Sequence, residues 1–384
     1  MPMPQPRSTG KNVLYTAITV LIVLVTVELG LHAINWVAAK VSPNPEKIPW
    51  RGLYQGQSWA PTLARESDGR GQVYHQYLTW ISKPQKGRFV NLDPATGRKT
   101  WNPANLKHPV TTVFVFGGSA CWGYGARDDY TIPSQLSYWL NAQAPHYRVY
   151  NYAEPAYTFT QGLFYLITRL RDGARPNFVI FYDGFNDVYG SYQSGQAGAQ
   201  QNLAQLREKL ESKPRQLYWQ AVKEWWEDNI YLYSKVFSRF FQRPEKRFRE
   251  VGAGFTDQQL KDLAVGTVQY YARSMALLDH LSQAYGFKYV CFWQPALFTE
   301  TRVLPQERRV DVRLEDKNFA RLYQFTNQYL AAHPPSPHFY NLTDALNGRT
   351  QPCYIDLVHT TEKGYRLVAD RMEQVLHQDF SLGE

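Results

Sequence analysis

The sequence predicts an α/β protein built on a doubly wound, mostly parallel sheet. From residue 110 onward, short apolar runs alternate with longer segments that have helical periodicity. The runs 110–116 and 178–182 are continuous in β-branched and aromatic residues, which is typical of strands covered on both faces. Strands that alternate with helices in this way favour parallel neighbours joined by right-handed crossovers.

The individual elements follow from local signals. Thr131 is suited to cap a helix that has Pro133 in its first turn, and Gly173 with Pro176 ends another helix. A turn at 93–97 joins two short segments, 87–91 and 98–101, and predicts a β-hairpin ahead of the main sheet. The predicted strands are 110–116, 147–151, 178–182, 289–293 and 338–342, and the predicted helices are 131–140, 160–170, 257–285, 316–332 and 362–378.

The alternation is interrupted by an aromatic-rich insertion at 190–254. Its aromatic residues recur at helical intervals with Lys and Arg between them, which predicts a helical cap packed on the main domain. Such a cap could instead line a substrate cleft or lie on a membrane surface. The aromatic residues are Trp219, Trp225, Trp226, Tyr231, Tyr233, Phe237, Phe240 and Phe241.

The N-terminal region contains an apolar stretch that is long enough to span a bilayer. Arg7 and Lys11 precede it, so the positive-inside rule predicts a cytoplasmic tail (1–12), a transmembrane anchor (13–39), a linker (40–61) and an extracytoplasmic domain (62–384). Localisation is therefore expected at the inner, or plasma, membrane with the folded domain in the periplasm. A cleaved signal peptide is the alternative, but the length of the stretch favours a retained anchor.

Composition excludes several classes of protein. Three cysteines are too few for a disulfide scaffold, and no nucleic-acid-binding motif accompanies the net charge of +9. No His or Cys cluster has metal-ligand spacing, so neither a metal nor another cofactor is expected. Cys121 and Cys353 both approach the same end of the predicted sheet. They could form a disulfide or remain two unpaired buried thiols.

Chemistry is expected in the loops beyond the carboxyl ends of the strands. The first strong strand ends in Gly117-Gly118-Ser119, a tight turn that would present the serine hydroxyl. Downstream, Asp356 stands three residues before His359, close enough for its carboxylate to accept from Nδ1 and leave Nε2 to take a proton from serine. Among the nine histidines, His359 is the only one that follows a strand and has an adjacent orienting acid.

A third loop, 183–187, follows the strand at 178–182. Its Asn186 could donate to the same oxyanion as the backbone N–H groups after Gly118. Each of these segments is common by itself. Their conjunction in one order, each at a post-strand loop, indicates a serine-based acyl transfer site.

The chain therefore resembles the SGNH hydrolases, a branch of the GDSL lipase and esterase superfamily, over about residues 110–372. The resemblance implies a flavodoxin-like sheet and a catalytic set of Ser119, Asp356 and His359. It also implies an oxyanion hole formed by Ser119, Ala156 and Asn186. Two positions depart from the family pattern. Gly118 replaces the usual Asp, and Ala156 replaces a glycine, which would be strained if that position needs a positive φ.

We expect a serine ester hydrolase that works through an acyl-serine. The similarity to envelope members of the family implies O-deacetylation of an envelope or extracellular polysaccharide. Two alternatives stay open at this point. An O-acetyltransferase would discharge the same intermediate onto a sugar, and a catalytically silent glycan-binding or assembly protein would retain only the fold.

Overall fold

The computed structural model describes most of the chain and divides it into two compact units. One unit comprises residues 1–46 and 205–248, and the other comprises residues 47–204 and 249–384. The second unit contains the sheet and every predicted site residue. The described residues are 9–41, 49–69, 71–211, 218–219, 221–222, 225–226, 229–230, 250–308 and 316–383.

The first unit contains one long helix, α1, at Thr9–Val41. Its segment Gly10–Ile34 is long and apolar enough to cross a membrane, as the sequence predicts. Glu28 and His32 lie one turn apart on this helix, with His32 Nε2 3.0 Å from a Glu28 carboxylate oxygen. The contact gives the Glu28 carboxylate a polar partner within a largely apolar segment.

The second unit is organised around an eight-stranded sheet with the order β10-β9-β8-β6-β7-β5-β4-β3. Strands β6 to β10 are mutually parallel, whereas β3, β4 and β5 form antiparallel pairs at one edge. A separate antiparallel hairpin joins β1 and β2. The strands are β1 Gln72–His75, β2 Thr79–Ser82, β3 Gln85–Lys86, β4 Asn91–Asp93, β5 Gly97–Arg98, β6 Thr111–Gly117, β7 Tyr147–Asn151, β8 Phe178–Asp183, β9 Lys288–Trp293 and β10 Phe339–Asn341.

The helices of the second unit connect these strands, and several are capped by the expected residues. Thr131 accepts a hydrogen bond from the Ser134 backbone N–H at the start of its helix. Gly286, in the left-handed conformation, ends the longest helix of this unit. The helices of this unit are α2 Ala60–Asp68, α3 Ser119–Trp122, α4 Ile132–Leu140, α5 Phe159–Arg171, α6 Phe185–Ser194, α8 Asp257–Tyr285, α9 Lys317–Ala332 and α10 Glu362–Phe380. A further helix, α7 Leu203–Glu211, lies mostly in the residues assigned to the first unit.

The core lies against the central strands. Every residue of β8 is buried, and so are the last five residues of β6 and of β9. Phe116 and Phe181 stack across adjacent strands with ring centroids 5.3 Å apart. The predicted fold class, a mostly parallel α/β sheet, is thus confirmed. The predicted hairpin forms as β4 and β5, and β5 pairs with β7, so it extends the main sheet.

Two regions need further comment. The predicted linker is too long, because residues 49–54 form a 3₁₀ helix and the Tyr54 hydroxyl donates to the Gly125 carbonyl oxygen at 2.8 Å. Within the predicted insertion, residues Leu203–Glu211 form the helix α7. Three of the aromatic residues of the insertion are exposed: Trp219, Trp225 and Trp226. The predictions for Tyr231, Tyr233, Phe237, Phe240 and Phe241 lie outside the described residues.

One buried arginine holds the segment that follows Ser119. The guanidinium of Arg98 donates to the carbonyl oxygens of Trp122, Gly123 and Ala126 at 2.6 to 2.8 Å. It also pairs with Asp128 at 3.1 Å. Burial raises the pKa of Asp128, although the charge of Arg98 opposes this shift. Arg98 therefore satisfies three carbonyl groups and one carboxylate in the interior.

We expect Arg98→Met to lower the free energy of unfolding by about 3–5 kcal/mol, because it removes the charge partner of the buried Asp128 carboxylate and a buried donor to three carbonyl groups. Arg171→Ala provides the control. It removes an exposed ion pair with Asp172 and should cost less than about 1 kcal/mol. Urea unfolding of the full chain in mild detergent measures both. Equal effects of the two substitutions would contradict the structural role of Arg98.

Candidate active site

Ser119 lies at the point where the strand order of the sheet reverses. From β6 the chain moves first to β7 on one side and then to β8 on the other. Ligands of open α/β sheets bind at such a point, beyond the carboxyl ends of the strands. Gly117 ends β6, where a Cβ atom would lie 2.2 Å from the Tyr182 carbonyl oxygen. Only glycine fits there, and the chain turns at once into α3, which begins with Ser119.

The structure brings Ser119, His359 and Asp356 into one hydrogen-bonded line. His359 Nε2 lies 2.6 Å from Ser119 Oγ, and His359 Nδ1 lies 2.6 Å from Asp356 Oδ2. The other carboxylate oxygen of Asp356 accepts from the backbone N–H groups of Val358 and His359 at 2.9 and 2.8 Å. This arrangement fixes the tautomer in which Nδ1 carries the proton and Nε2 can accept one from serine.

The electrostatics of the pair keep Asp356 ionised. Burial by itself would raise the pKa of Asp356, but the charge of His359 and the hydrogen bonds from His359 and Val358 outweigh burial and lower it. A carboxylate that stays charged at neutral pH can stabilise the imidazolium that forms when His359 takes up a proton.

Asn186 is buried beside the serine turn, and its amide is held at both ends. Its Nδ2 donates to the Tyr157 carbonyl oxygen at 2.7 Å, and its Oδ1 accepts from Gln201 Nε2 at 2.6 Å. A Cβ atom on residue 118 would lie only 2.2 Å from Asn186 Nδ2. The glycine at this position, where the family usually has Asp, therefore leaves room for the Asn186 amide.

Ala156 adopts the left-handed conformation, with φ of 67°. The sequence predicts strain at this position if its φ is positive, and the structure has a positive φ here. For a residue with a Cβ, this conformation costs about 1–2 kcal/mol of conformational free energy. Ser119, at the start of α3, and Ala156 line the same cleft. Ala156 thus has a backbone conformation that glycine adopts more readily than alanine.

The hairpin of β1 and β2 holds the residues on either side of Ala156. Glu154 accepts from the backbone N–H and the hydroxyl of Ser82, at 3.1 and 2.6 Å. Trp80 Nε1 donates to the Pro155 carbonyl oxygen at 3.1 Å, and the Tyr157 hydroxyl donates to the Trp80 carbonyl oxygen. These contacts fix the backbone around a conformation that alanine would otherwise avoid.

The triad faces a cleft of about 430 Å³. The Tyr124 ring lies 4.8 Å from the His359 ring, and its hydroxyl donates to Asp68 Oδ1 at 2.9 Å. Sequence reasoning missed most of this wall, because its residues carry no motif and come from segments far apart in the chain. The cleft residues that the sequence did not single out as functional are Asp68, Gln72, Tyr124, Pro155, Phe185, Tyr189, Gln201 and Val358.

Two buried acids lie behind the site. Burial raises the pKa of Asp187 to about 7, although its carboxylate accepts a hydrogen bond from the Phe159 N–H at 3.1 Å. Burial and the nearby Asp187 raise the pKa of Asp183 well above its ordinary value. Within the described part of the chain, neither carboxyl oxygen of Asp183 has a hydrogen-bond partner. These surroundings favour the neutral form of Asp183.

The disulfide considered from the sequence does not form, and the alternative of unpaired buried thiols is what the structure shows. Cys121 lies in α3, and its Cβ is 2.7 Å from the point where a Cβ on residue 117 would lie. Cys353 packs against Gly364 of α10, and its thiol contacts the Gln351 carbonyl oxygen at 3.6 Å. The two thiols thus face different neighbours. Among the described residues, no group of three or more His, Cys, Asp or Glu could hold a metal ion.

The fold and this site define a class of protein. The family model described as GDSL-like lipase/acylhydrolase matches residues 113–372, which is more than half of the chain. The chain belongs to this family and is a serine ester hydrolase.

Similar solved structures include a lipolytic protein of the G-D-S-L family from Veillonella parvula DSM 2008, at 12% identity over 70% of this chain and 100% of that one, with a TM-score of 0.34. An acetyl xylan esterase, AlAXEase, has 12% identity over 69% and 99% of the two chains and a TM-score of 0.36. The psychrotrophic esterase EstA from Pseudoalteromonas sp. has 14% identity over 71% and 99%, with a TM-score of 0.31. No curated protein matches the sequence.

Ala156→Gly should raise the free energy of unfolding by up to about 1 kcal/mol, because the relief of left-handed strain exceeds the added entropy of the unfolded chain. Ala95→Gly is the control. Ala95 is exposed and has no positive φ, so the same exchange should lower stability by about 0.4–1 kcal/mol. Urea unfolding of both variants gives the comparison. A loss of stability in Ala156→Gly equal to that of the control would contradict strain at this residue.

Gly118→Ala should lower kcat about 100-fold while the protein stays folded. The backbone at residue 118, with φ of −85° and ψ of −163°, admits any residue, but the new methyl group would displace the Asn186 amide. Steady-state turnover of p-nitrophenyl acetate, together with circular dichroism, checks both parts. An unchanged kcat would show that the position of Asn186 does not matter for turnover.

Proposed function

We propose that this chain removes small acyl groups, in particular O-acetyl groups, from an envelope or extracellular polysaccharide. Ser119 acts as the nucleophile, His359 as the general base and acid, and Asp356 as the residue that orients His359. The observation that carries this proposal is the continuous hydrogen-bonded line from Ser119 Oγ to the carboxylate of Asp356, with both contacts at 2.6 Å.

The reaction proceeds in two halves. As Ser119 Oγ bonds to the ester carbonyl carbon, its proton passes to His359 Nε2. His359 then gives this proton to the sugar oxygen as the C–O bond breaks, which leaves an acyl-serine. In the second half, water attacks the acyl carbon and gives a proton to His359, which returns it to Ser119 Oγ as the carboxylic acid leaves.

The oxyanion that forms in each half needs donors. We assign this role to the backbone N–H groups of Ser119 and Ala156 and to the side-chain amide of Asn186. The Ser119 N–H lies at the N-terminus of α3, and one hydrogen of Asn186 Nδ2 remains after the bond to Tyr157. Each donor of this kind contributes about 3 kcal/mol to the stabilisation of the transition state.

The lining of the cleft favours a substrate in which a small acyl group is attached to a polar molecule. Among the residues that the structure describes, its apolar lining consists of Pro155, Ala156, Phe185 and Val358, an area too small to cover a long acyl chain. The rest of the wall offers carboxylate, amide and phenol groups, which can bind sugar hydroxyls and stack on sugar rings. An acetylated glycan fits this lining better than a long-chain lipid.

The proposed location follows from α1. Arg7 precedes the apolar segment Gly10–Ile34 in the sequence, and Lys11 is the second residue of that segment. The positive-inside rule then places residues beyond the helix outside the cytoplasm, with α1 as a single-pass anchor in the inner membrane. The hydrolase domain would thus face envelope polysaccharides.

The full-length chain in detergent should release acetate from acetylated xylan and hydrolyse p-nitrophenyl acetate much faster than p-nitrophenyl palmitate. Ser119→Ala should lower kcat by at least about 1,000-fold. Ser58→Ala, at an exposed serine outside the cleft, should leave kcat unchanged. Equal rates for wild type and Ser119→Ala would exclude the serine mechanism, and a preference for palmitate would exclude the small-acyl assignment.

A further inference from the structure

Gln201 is a buried cleft residue without a role in the triad. The residue is 9% exposed and lies in the wall of the same cleft as Ser119 and His359. Its Nε2 donates to Asn186 Oδ1 at 2.6 Å. Gln201 lies seven residues after the end of α6, the helix that carries Asn186 near its start. The tertiary fold brings the two amides together.

An asparagine amide has two nearly isosteric orientations that differ by a half turn about its last bond. One of them directs Nδ2 to the serine turn, and the other directs Oδ1 there. Only the first can donate to an oxyanion, since Oδ1 can only accept. The orientation of the Asn186 amide therefore decides whether the residue stabilises or opposes the developing negative charge.

Two contacts select the donating orientation. The Tyr157 carbonyl oxygen accepts from Asn186 Nδ2 at 2.7 Å, and the Gln201 Nε2 group donates to Oδ1 at 2.6 Å. A rotated amide would place Oδ1 against the Tyr157 carbonyl oxygen and Nδ2 against a donor. The contact with Tyr157 would then be lost in a buried site, where each unsatisfied polar group costs about 1–3 kcal/mol. The contact with Gln201 would be regained only if the Gln201 amide turned over as well.

We propose that Gln201 is a positioning residue of the oxyanion hole: it locks the Asn186 amide in the orientation that donates to the transition state. The bond to Gln201 also polarises the Asn186 amide, which strengthens the hydrogen bond that Nδ2 donates. This inference rests on the proposed serine mechanism. It adds a residue from the segment after α6 to the catalytic machinery.

Gln200 provides a matched control in the next position of the chain. Its Oε1 accepts from the Thr79 hydroxyl at 3.1 Å and from Gln161 Nε2 at 3.3 Å. It is also partly buried and has the same side chain, but its hydrogen bonds lead to the β1–β2 hairpin and to α5. A substitution here perturbs the same segment without removing the donor to Asn186.

The test compares Gln201→Met and Gln200→Met in the full-length chain, each with and without Asn186→Ala, on p-nitrophenyl acetate. Methionine keeps the volume of glutamine but cannot donate. We expect Gln201→Met to lower kcat about tenfold or more with KM within about twofold, because the lost interaction acts in the transition state. In the Asn186→Ala background the same change should have almost no further effect on kcat. Gln200→Met should leave kcat unchanged in both backgrounds.

Gln201→Glu is the second variant, in case Gln201→Met lowers the melting temperature. At pH 8 its carboxylate would face Oδ1 and should lower kcat at least as much. Equal losses of kcat from Gln201→Met with and without Asn186 would overturn the inference and indicate a purely structural residue. Wild-type turnover that does not depend on Ser119 would overturn the proposed function, and the inference with it.

Discussion

The amide of Asn186 lies 2.2 Å from the point where a side chain on residue 118 would begin. This close approach constrains the whole site. It leaves no room for a side chain at residue 118 unless the Asn186 amide moves, and it places an amide donor beside the first turn of α3. Because β6 and β8 are parallel neighbours, the turns that follow them meet at one edge of the sheet. The departure from the family's Asp at residue 118 is thus coupled to the position of Asn186.

The remaining parts of the site are arranged around the same oxyanion. Ala156 keeps the left-handed backbone of a glycine, and the contacts of Ser82 and Trp80 stabilise the segment that contains it. Behind the serine turn, burial and the nearby Asp187 raise the pKa of Asp183 well above its ordinary value, which favours its neutral form. The left-handed conformation of Ala156 costs stability, and this residue lies in the wall of the cleft that contains Ser119.

Sequence patterns predicted those features that depend on neighbours in the chain. The apolar runs identified the central strands, and the three-residue spacing of Asp356 and His359 identified the pair that the structure brings to Ser119. Features that depend on tertiary contacts were missed or misjudged. Gln201 reaches Asn186 through packing that no local motif reports, and the residues around Tyr54 pack on the domain although their prolines suggested a linker. The sequence left the pairing of Cys121 and Cys353 open for the same reason, since proximity in topology does not fix the direction of a side chain.

The central claim is that Ser119 is an activated nucleophile. The most direct measurement is to treat the full-length chain with a fluorophosphonate, digest it, and locate the adduct by tandem mass spectrometry. The account predicts a single adduct on Ser119, formed rapidly in the wild type and lost or greatly slowed in His359→Ala. Absence of an adduct, or an adduct on another serine with Ser119 unmodified, would contradict it.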